Sequence, residues 1–317
     1  MAKRPEPGRA ELLAHWIRSA PHKAASFATH IADFSIPLRE EELAAADRIT
    51  NVVLPLGPYR NLTTMTAALF ALHPQSVVLN HAAMRVFGTR FDPFDDLSPE
   101  RWRAFKAAST RLLRHGRKSS YGGNVLYSHA FRGGALSRLY AERFGDVLLK
   151  PAATTLFWKD SMRFQNRFEA GDPAIEAWLA ANDQTVFIFP VRDPMDCARS
   201  NRATGHWHHL VPKDQAEFGP ILRRVLEALR WFRRLERQDP ARFWSFTEAE
   251  LGVGFPARFA AFCRIAPDPV WLADAPQAIQ VAPRGEHKPE NRALYAELLD
   301  EIFADDPGMR ARLEVFG

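Results

Sequence analysis

The sequence predicts an α/β protein: a mainly parallel, doubly wound sheet flanked by helices. Two observations predict this fold class. Short runs of consecutive apolar residues, typical of strands buried on both faces of a sheet, recur along the chain. Amphipathic segments long enough to form helices separate these runs, and such alternation indicates parallel strands joined by helical crossovers.

The first strand is predicted at Ile49–Leu56 (ITNVVLPL), and four further strands are predicted at Val77, Thr155, Val186 and Arg242. Helices are predicted between these strands and towards both ends, at Arg9–Ile31, Met65–Leu72, Arg101–Arg114 and Gly133–Phe144, from Ala174, from Met195, from Asp214, and after the last strand. With 317 residues, 46% of them hydrophobic, and no long Gly/Ser linker, the chain fits a single domain over residues 1–317 with helical additions at both ends.

The segment Thr185–Ser200 (TVFIFPVRDPMDCARS) combines a buried strand, a sharp turn and the start of a helix. Arg192 stands at the carboxyl end of the strand, where open α/β sheets bind their ligands, and Ser200 follows about two helical turns later. A guanidinium and a hydroxyl placed in this way can converge on one phosphate. The alternative is an arginine that pairs with Asp193 or Asp196 at an ordinary helix N-terminus.

A second segment has the same layout, because Gly57–Thr64 (GPYRNLTT) leads from the first strand into the predicted helix Met65–Leu72. A loop with a cation and hydroxyls ahead of a helix suits a phosphate, since the first N–H groups of the helix are available and the helix dipole favours an anion. The Walker pattern GxxxxGK[ST] is absent from the chain, which argues against an ordinary ATPase or GTPase.

In this order, GPYRNLTTMTAALFALHP and FPVRDPMDCARSN resemble the sulfotransferase superfamily, whose donor is 3′-phosphoadenosine 5′-phosphosulfate (PAPS). That family has a Pro-[Lys/Arg]-Ser-Gly-Thr-Thr type loop before a helix and often His-Pro, and later a strand that ends in Arg-x-Pro, with a serine on the next helix. The resemblance implies the family's P-loop-like architecture and two groups of donor-binding residues. Arg60, Asn61, Thr63 and Thr64 would surround the 5′-phosphosulfate, and Arg192 and Ser200 would bind the 3′-phosphate.

Leu62 is the main departure from the family pattern, because it occupies the place of the family's glycine. Glycine lets a phosphate-binding backbone take a positive φ or approach the ligand closely, and leucine does either poorly. We therefore expect either a different loop conformation in this chain or weaker donor binding.

The resemblance also implies catalytic residues. Lys159, at the end of the predicted strand Thr154–Ser161, matches a lysine that the family often places against the transferring group; its alternative is a surface pair with Asp160. His81 lies nearest the place where several branches carry a glutamate, and it is the candidate general base because a neutral imidazole titrates near working pH. Its alternative is to cap a strand or helix or to hydrogen-bond within the cleft. Arg60, the cation of the loop that would bind the phosphosulfate, is the third candidate catalytic residue.

A basic loop near the C-terminus, Ala282–Pro289 (APRGEHKP), contains Arg284 and Gly285. It is similar to the late Arg-Gly segment that closes over the 3′-phosphate in the superfamily, but the family's usual tryptophan does not follow. Both residues are therefore expected at the donor site, although this loop matches the family pattern less well than the two main motifs do.

Other kinds of site find little support in the sequence. Cys197 and Cys263 are too few for a secreted disulfide framework. His206–His209 (HWHH) lacks a Cys or acidic partner at a usual ligand spacing, so no metal site is predicted, and the cluster is either a loop near the acceptor cleft or a plain surface loop. The polar N-terminus and the absence of any run near ~20 apolar residues predict a soluble cytoplasmic protein without a membrane span.

The net charge of +5 comes mostly from arginines, concentrated in the predicted amphipathic helices Arg101–Lys118 and Leu222–Arg237. The arginine-rich faces of such helices are commonly only exposed to solvent. They also create a positive electrostatic field that attracts a dianionic donor or an acidic acceptor. The acceptor is expected to be a small molecule or a carbohydrate with a hydroxyl or amine. Its choice is expected to depend on residues Val86–Phe131 and Gly205–Phe218.

Three hypotheses stay open at this point. The first is a PAPS-dependent sulfotransferase. The second is a protein of the same fold that has lost the chemistry and binds a nucleotide or a partner, which Leu62 and the missing late tryptophan favour. The third is a basic nucleic-acid-binding protein, but no reader module or aromatic-interleaved basic motif supports it, so no nucleic-acid partner is expected.

Overall fold

The computed structural model describes residues 35–82, 86–116, 123–132, 134–170, 172–279, 281 and 285–317. The predicted helix Arg9–Ile31 and the candidate donor residue Arg284 lie outside these residues. Across the described ranges, no helix is both long enough and apolar enough to cross a membrane.

The described residues contain six strands and twelve helices, which are named here in chain order. The strands are β1 Asn51–Pro55, β2 Ser76–Asn80, β3 Gly123–Asn124, β4 Thr155–Lys159, β5 Thr185–Val191 and β6 Phe243–Thr247. The first six helices are α1 Glu40–Arg48, α2 Thr63–Leu72, α3 Pro99–His115, α4 Ala135–Phe144, α5 Ser161–Ala170 and α6 Asp172–Ala181. The other six are α7 Pro194–Thr204, α8 Phe218–Gln238, α9 Phe255–Phe262, α10 Pro269–Ala278, α11 Pro289–Ile302 and α12 Pro307–Glu314.

The six strands form one sheet in the order β3-β2-β4-β1-β5-β6. All neighbouring pairs are parallel except β2 and the two-residue edge strand β3, which run antiparallel. The predicted α/β class with a mainly parallel sheet is confirmed.

Helices cover both faces of the sheet, because successive residues of each strand point to opposite sides. Val52 and Leu54 of β1 belong to an apolar cluster that includes residues of α3, α5, α6, α7, α8, α11 and α12. Val53 between them belongs to a second cluster, which includes residues of α2, α4, α9 and α10. This three-layer arrangement is the doubly wound architecture predicted from the sequence.

A crevice is expected between the loops that follow β1 and β5. These strands are direct neighbours in the sheet. Helix α2 follows β1 onto one face, whereas α7 follows β5 onto the other face. Adjacent parallel strands whose connections diverge in this way define the switch point at which open α/β sheets bind ligands.

Helix α8 begins at Phe218 rather than at Asp214 as the sequence predicts, and Lys213–Gln215 forms a separate 3₁₀ turn. Pro220 provides the physical reason for the later start. It stands in the first turn of α8, where its missing N–H removes no intrahelical hydrogen bond.

Helix α5 is a second difference, because the sequence analysis did not predict it. It begins directly after β4, and no Gly or Pro separates the two elements. Its buried residues Ser161, Phe164, Gln165 and Phe168 recur at i, i+3, i+4 and i+7, the spacing of one helix face. The abrupt change from strand to helix places Asp160 at the edge of the candidate site.

Candidate active site

The loops that follow β1 and β5 are tied together by Asn61. Its buried side-chain Oδ1 accepts a hydrogen bond of 2.7 Å from the backbone N–H of Arg192. The two loops start side by side because β1 and β5 are paired from Val52–Thr185 to Pro55–Ile188. The two segments that the sequence indicates as anion-binding therefore meet. Asn61, in the loop after β1, stabilises the loop after β5 through this hydrogen bond.

Arg60 and Ser200 form a second bridge across the crevice. The exposed side chain of Arg60 donates from Nε to Ser200 Oγ at 2.9 Å. Arg60 comes from the loop before α2, and Ser200 lies on α7. The cation predicted for the phosphosulfate and the hydroxyl predicted for the 3′-phosphate are thus in direct contact.

Arg192 lines the cavity between these loops and is also part of an ion pair. One terminal nitrogen of its guanidinium lies 3.4 Å from Asp196 Oδ2. Asp196 also pairs with Arg199. The alternative of an ion pair at the helix N-terminus is therefore real, but a guanidinium has five N–H groups and the contact with Asp196 uses one nitrogen. Arg192 is thus able to contact an anion as well.

Leu62 has a left-handed backbone, with φ 59° and ψ 3°, immediately before the first residue of α2. A residue with a Cβ is strained there, whereas glycine is not. The Leu62 side chain packs against the apolar cluster that contains α2, which offsets part of the strain. Leucine thus occupies the glycine place of the loop and still adopts a conformation that suits glycine.

Replacement of Leu62 should show this strain directly. Both Leu62→Ala and Leu62→Gly remove the packed side chain, but only glycine removes the Cβ. We expect Leu62→Gly to be more stable than Leu62→Ala by about 1 kcal/mol, the reverse of their usual order in a helix. Urea unfolding of both variants measures the difference, with the same pair of substitutions at Leu69 of α2 as the control. An alanine variant as stable as the glycine variant would contradict the assignment of strain.

The cavity above these loops has a volume of about 530 Å³, within the range of small-molecule sites. Three arginines, one lysine and three histidines line it, and no carboxylate is found among the described lining residues. They include Arg60, Arg132, Arg192, Lys159, His81, His129 and His206. Thr63 and Thr64 at the start of α2 also line it, and the helix N-terminus adds N–H donors. The lining therefore favours an anionic ligand.

Lys159 and His81 face each other in this cavity. Lys159 Nζ lies 2.8 Å from His81 Nε2, and the lysine side chain is buried. The alternative of a surface pair between Lys159 and Asp160 is therefore wrong. On the other side of the ring, His81 Nδ1 lies 4.0 Å from Asp160 Oδ1. The imidazole stands between an ammonium and a carboxylate.

Burial shifts the titration of both groups. It lowers the pKa of Lys159 to about 8, although the carboxylate of Asp160 opposes the shift. Burial, and then the charge of Lys159, also lower the pKa of His81 below its ordinary value, although Asp160 raises it. At neutral pH the lysine is therefore charged and the imidazole neutral, which suits an electrostatic role for Lys159 and a base role for His81.

The backbone of His81 is left-handed, with φ 53°. Its N–H donates to the carbonyl of Lys159 at 2.9 Å, which continues the pairing of β2 with β4 by one residue. Left-handed non-glycine residues are costly and cluster at functional sites. The sheet thus holds His81 in a strained position that directs its side chain into the cavity.

Several site residues are absent from the sequence-based assignment. The sequence indicates Asp160 only as an ion-pair partner of Lys159. His129 falls within the predicted acceptor segment Val86–Phe131, and Arg132 is the next residue after it. His206 belongs to the histidine cluster, whose two alternatives the structure separates: it lines the cavity, and its ring packs against Tyr59 at 5.3 Å between centroids. The cluster therefore lies at the cleft and is not a plain surface loop.

The described part of the late basic loop packs on the N-terminus of α7. The Gly285 N–H donates to Asp196 Oδ2 at 3.4 Å, and His287 Nε2 lies 2.8 Å from Asp193 Oδ2. Gly285 thus lies close to the Arg192–Asp196 pair, and its role at a donor site stays a prediction. Asp193, Asp196 and His287 bring ligand atoms within 4.8 Å of one another, a grouping that the sequence analysis does not predict. Asp193 caps α7, however, and Asp196 already pairs with two arginines.

Comparison with known proteins shows only a distant structural likeness. No protein-family model matches the chain. No curated protein matches it either. Among solved structures, the chain is similar to the sulfotransferase STF9 from Mycobacterium avium, with 14% sequence identity and a TM-score of 0.40 over 89% of this chain and 79% of that one. At this distance the likeness assigns neither a family nor an activity.

Proposed function

We propose that this protein is a sulfotransferase that transfers a sulfuryl group from PAPS to a hydroxyl or amine of a small-molecule or carbohydrate acceptor. The observation that carries the proposal is the contact between the two motifs that resemble the superfamily. Asn61 and Arg192 are 131 positions apart and hydrogen-bonded, and Arg60 contacts Ser200 beside them. The two motifs therefore form one site at the switch point of the sheet.

The donor carries anionic groups at both ends of its ribose, and the cavity offers a matching set of groups. Arg60, Thr63, Thr64 and the N-terminus of α2 would hold the phosphosulfate. Arg192 and Ser200 would hold the 3′-phosphate. Gly285 lies near Arg192, because both residues contact Oδ2 of Asp196. The cationic lining without a described carboxylate fits such a ligand.

Arg192→Ala is expected to weaken the binding of adenosine 3′,5′-bisphosphate by about 1.5–3 kcal/mol, because it removes a charge-assisted hydrogen bond to phosphate. Titration calorimetry measures the affinity. Arg202→Ala is the matched control, because Arg202 lies on α7, the helix that follows Arg192, but is exposed and pairs with Glu217. Equal affinities for both variants and the unchanged protein would show that Arg192 does not bind the 3′-phosphate.

The proposed reaction assigns a separate task to each cavity residue. The acceptor oxygen or nitrogen forms a bond to sulfur while the bond from sulfur to the donor's phosphate oxygen breaks. When Lys159 turns its ammonium group from His81 to the donor's phosphate oxygen, the lone pair of His81 Nε2 is free to take the proton that the acceptor loses. The charges of Lys159 and Arg60 stabilise the negative charge that develops on the departing phosphate.

The acceptor side of the cavity is formed by residues of three short turns. His129 and Tyr127 come from the turns that precede α4, and His206 comes from the turn after α7. These positions lie inside the segments predicted to select the acceptor. A cytoplasmic location and the absence of a nucleic-acid partner stay predictions from the sequence.

A transfer assay tests the proposed function. The protein is incubated with ³⁵S-labelled PAPS and a panel of acceptors that includes phenols, alcohols, amines and sulfated or uronic sugars. We expect a labelled product with at least one acceptor. Donor binding without transfer to any acceptor would instead favour the inactive nucleotide-binding alternative, which the strained Leu62 supports. Tight, salt-sensitive DNA binding without donor binding would favour the third hypothesis.

A further inference from the structure

We infer that Asp160 is a positioning residue for His81: it holds the imidazole with Nδ1–H directed at its carboxylate and leaves Nε2 as the basic nitrogen. The kinetic consequence rests on the proposed sulfuryl transfer. The ring orientation and the proton position belong to the protein itself and are measurable without turnover.

The contact with Lys159 determines which ring nitrogen carries the proton. Lys159 Nζ and His81 Nε2 are 2.8 Å apart. An ammonium group donates hydrogen bonds and has no lone pair to accept one. Nε2 of His81 must therefore accept, so the proton of the neutral ring is on Nδ1.

Asp160 faces the Nδ1 side of the ring. Its carboxylate is buried, and Oδ1 lies 4.0 Å from His81 Nδ1. This is the distance of an ion pair rather than of a hydrogen bond, but catalytic hydrogen bonds are often long before a ligand is bound. The same oxygen is contacted by Arg163 at 3.3 Å and by the Tyr59 hydroxyl at 3.5 Å. These two donors limit the movement of the carboxylate.

The placement of the three groups follows from the sheet. Asn80 of β2 is paired with Lys159 of β4, so His81 emerges next to the end of β4. Lys159 and Asp160 are consecutive residues, and they contact opposite nitrogens of the same ring. A shift of one residue between β2 and β4 would separate His81 from both partners.

The charge around His81 is mixed, and Asp160 is the acidic member of the set. The charged and titratable groups described around the ring come from four elements: Lys159 and Asp160 at the end of β4, Arg163 on α5, His129 before α4, and His206 after α7. The four others are cations or can become cations, and they oppose protonation of His81. Asp160 therefore makes it possible for the ring to hold a second proton.

This second proton appears during the proposed reaction. When the acceptor attacks sulfur, Lys159 Nζ turns from Nε2 to the departing phosphate oxygen. The acceptor's proton then moves to the lone pair that this frees on Nε2, and the ring becomes an imidazolium with both nitrogens protonated. The acceptor gains the bond to sulfur, the departing phosphate keeps the electron pair of the broken bond, and the proton later leaves His81 for water. A carboxylate beside Nδ1 stabilises the imidazolium, as in other Asp–His pairs.

Nitrogen-15 NMR of the histidine side chains tests the inference without any substrate. We expect His81, assigned with a His81→Gln variant, to be neutral at pH 7.5 with its proton on Nδ1. In Lys159→Met the proton should stay on Nδ1, because Asp160 still holds it. In Asp160→Asn the pKa of His81 should fall by about one pH unit, a tenfold loss of proton affinity, because the removed carboxylate raises that pKa.

Asp92→Asn is the matched control, because Asp92 is also a fully buried carboxylate but contacts Arg167 and the backbone N–H groups of Gly88 and Phe94 rather than His81. It should leave the titration of His81 unchanged. The inference is overturned if the proton of the unchanged protein is on Nε2, if it moves there in Lys159→Met, or if Asp160→Asn titrates like the unchanged protein.

A kinetic comparison adds a second readout. With an acceptor from the transfer assay, Asp160→Asn should lower kcat by about tenfold or more and leave the acceptor KM and the affinity for adenosine 3′,5′-bisphosphate unchanged. An unchanged kcat would overturn the positioning role. If the unchanged protein transfers no sulfate, the proposed function fails, and the NMR results alone decide the role of Asp160.

Discussion

Replacing His81 by glutamine is expected to lower kcat for sulfuryl transfer by about 10²–10⁴-fold, because general-base catalysis contributes rate of this order. Glutamine keeps a polar side chain but cannot take the acceptor's proton. Donor affinity should be unchanged, since the donor contacts are assigned to other residues. Initial rates at saturating donor and acceptor measure kcat, and His115→Gln, an exposed histidine outside the cavity, is the control. Equal rates for His81→Gln and the unchanged protein would remove His81 from the mechanism.

The pH dependence of the transfer rate in the unchanged protein should reflect the proposed roles of His81 and Lys159. His81 acts in its neutral form, so kcat/KM, which reports the free enzyme, should rise with pH through a pKa below the ordinary histidine value. Lys159 acts in its charged form, so kcat/KM should fall again as the pH rises through about 8. The glutamine variant should lose the acid limb and keep the alkaline limb. A rate that does not fall between pH 7 and pH 9 would contradict the assignment of Lys159, and an acid limb that persists in the glutamine variant would contradict the assignment of His81.

Replacing Lys150 by methionine is expected to lower the free energy of unfolding by about 3 kcal/mol, because three buried carbonyls would each lose a charged donor. Lys150 lies in the segment that connects α4 to β4, and its side chain is buried. Its Nζ donates to Ala71 O at 2.5 Å and to His73 O and Ser76 O at 2.8 Å. Burial lowers the pKa of Lys150, but three acceptors match the three donors of the ammonium form. The lysine thereby joins the end of α2 to the start of β2.

Urea unfolding of Lys150→Met and Lys106→Met measures this effect against a matched control. Lys106 is also a buried lysine, but its Nζ donates to one carbonyl, that of Ile49, at 2.7 Å. We expect the loss at Lys150 to be at least twice the loss at Lys106. Similar losses in the two variants would show that the three carbonyls are not stabilised by Lys150 as the contacts indicate.

The fold and the place of the residues proposed to bind the donor could be predicted because their signals are local. Apolar runs mark β1 and β5, and the polar residues that follow each strand must lie at the carboxyl edge of the sheet. Arg192 and Ser200 are therefore placed by one strand, one turn and one helix. Arg60 follows from the same logic after β1.

The contacts of the residues proposed to be catalytic could not be predicted with the same detail, because they join distant segments. His81 and Lys159 are 78 positions apart, and they meet only because β2 and β4 are neighbours in the sheet order. Asp160 gains its position from helix α5, which starts without a turn residue. The left-handed backbone of Leu62 has no sequence signal, since leucine disfavours that conformation, and histidine, although enriched there, adopts it too rarely for His81 to be predicted.

Calorimetry with adenosine 3′,5′-bisphosphate tests the central claim most directly, namely that the crevice between β1 and β5 binds the donor. The account predicts one binding site per chain, with an affinity that falls in Arg192→Ala and is unaffected by Arg202→Ala. No measurable binding to the unchanged protein would contradict the account.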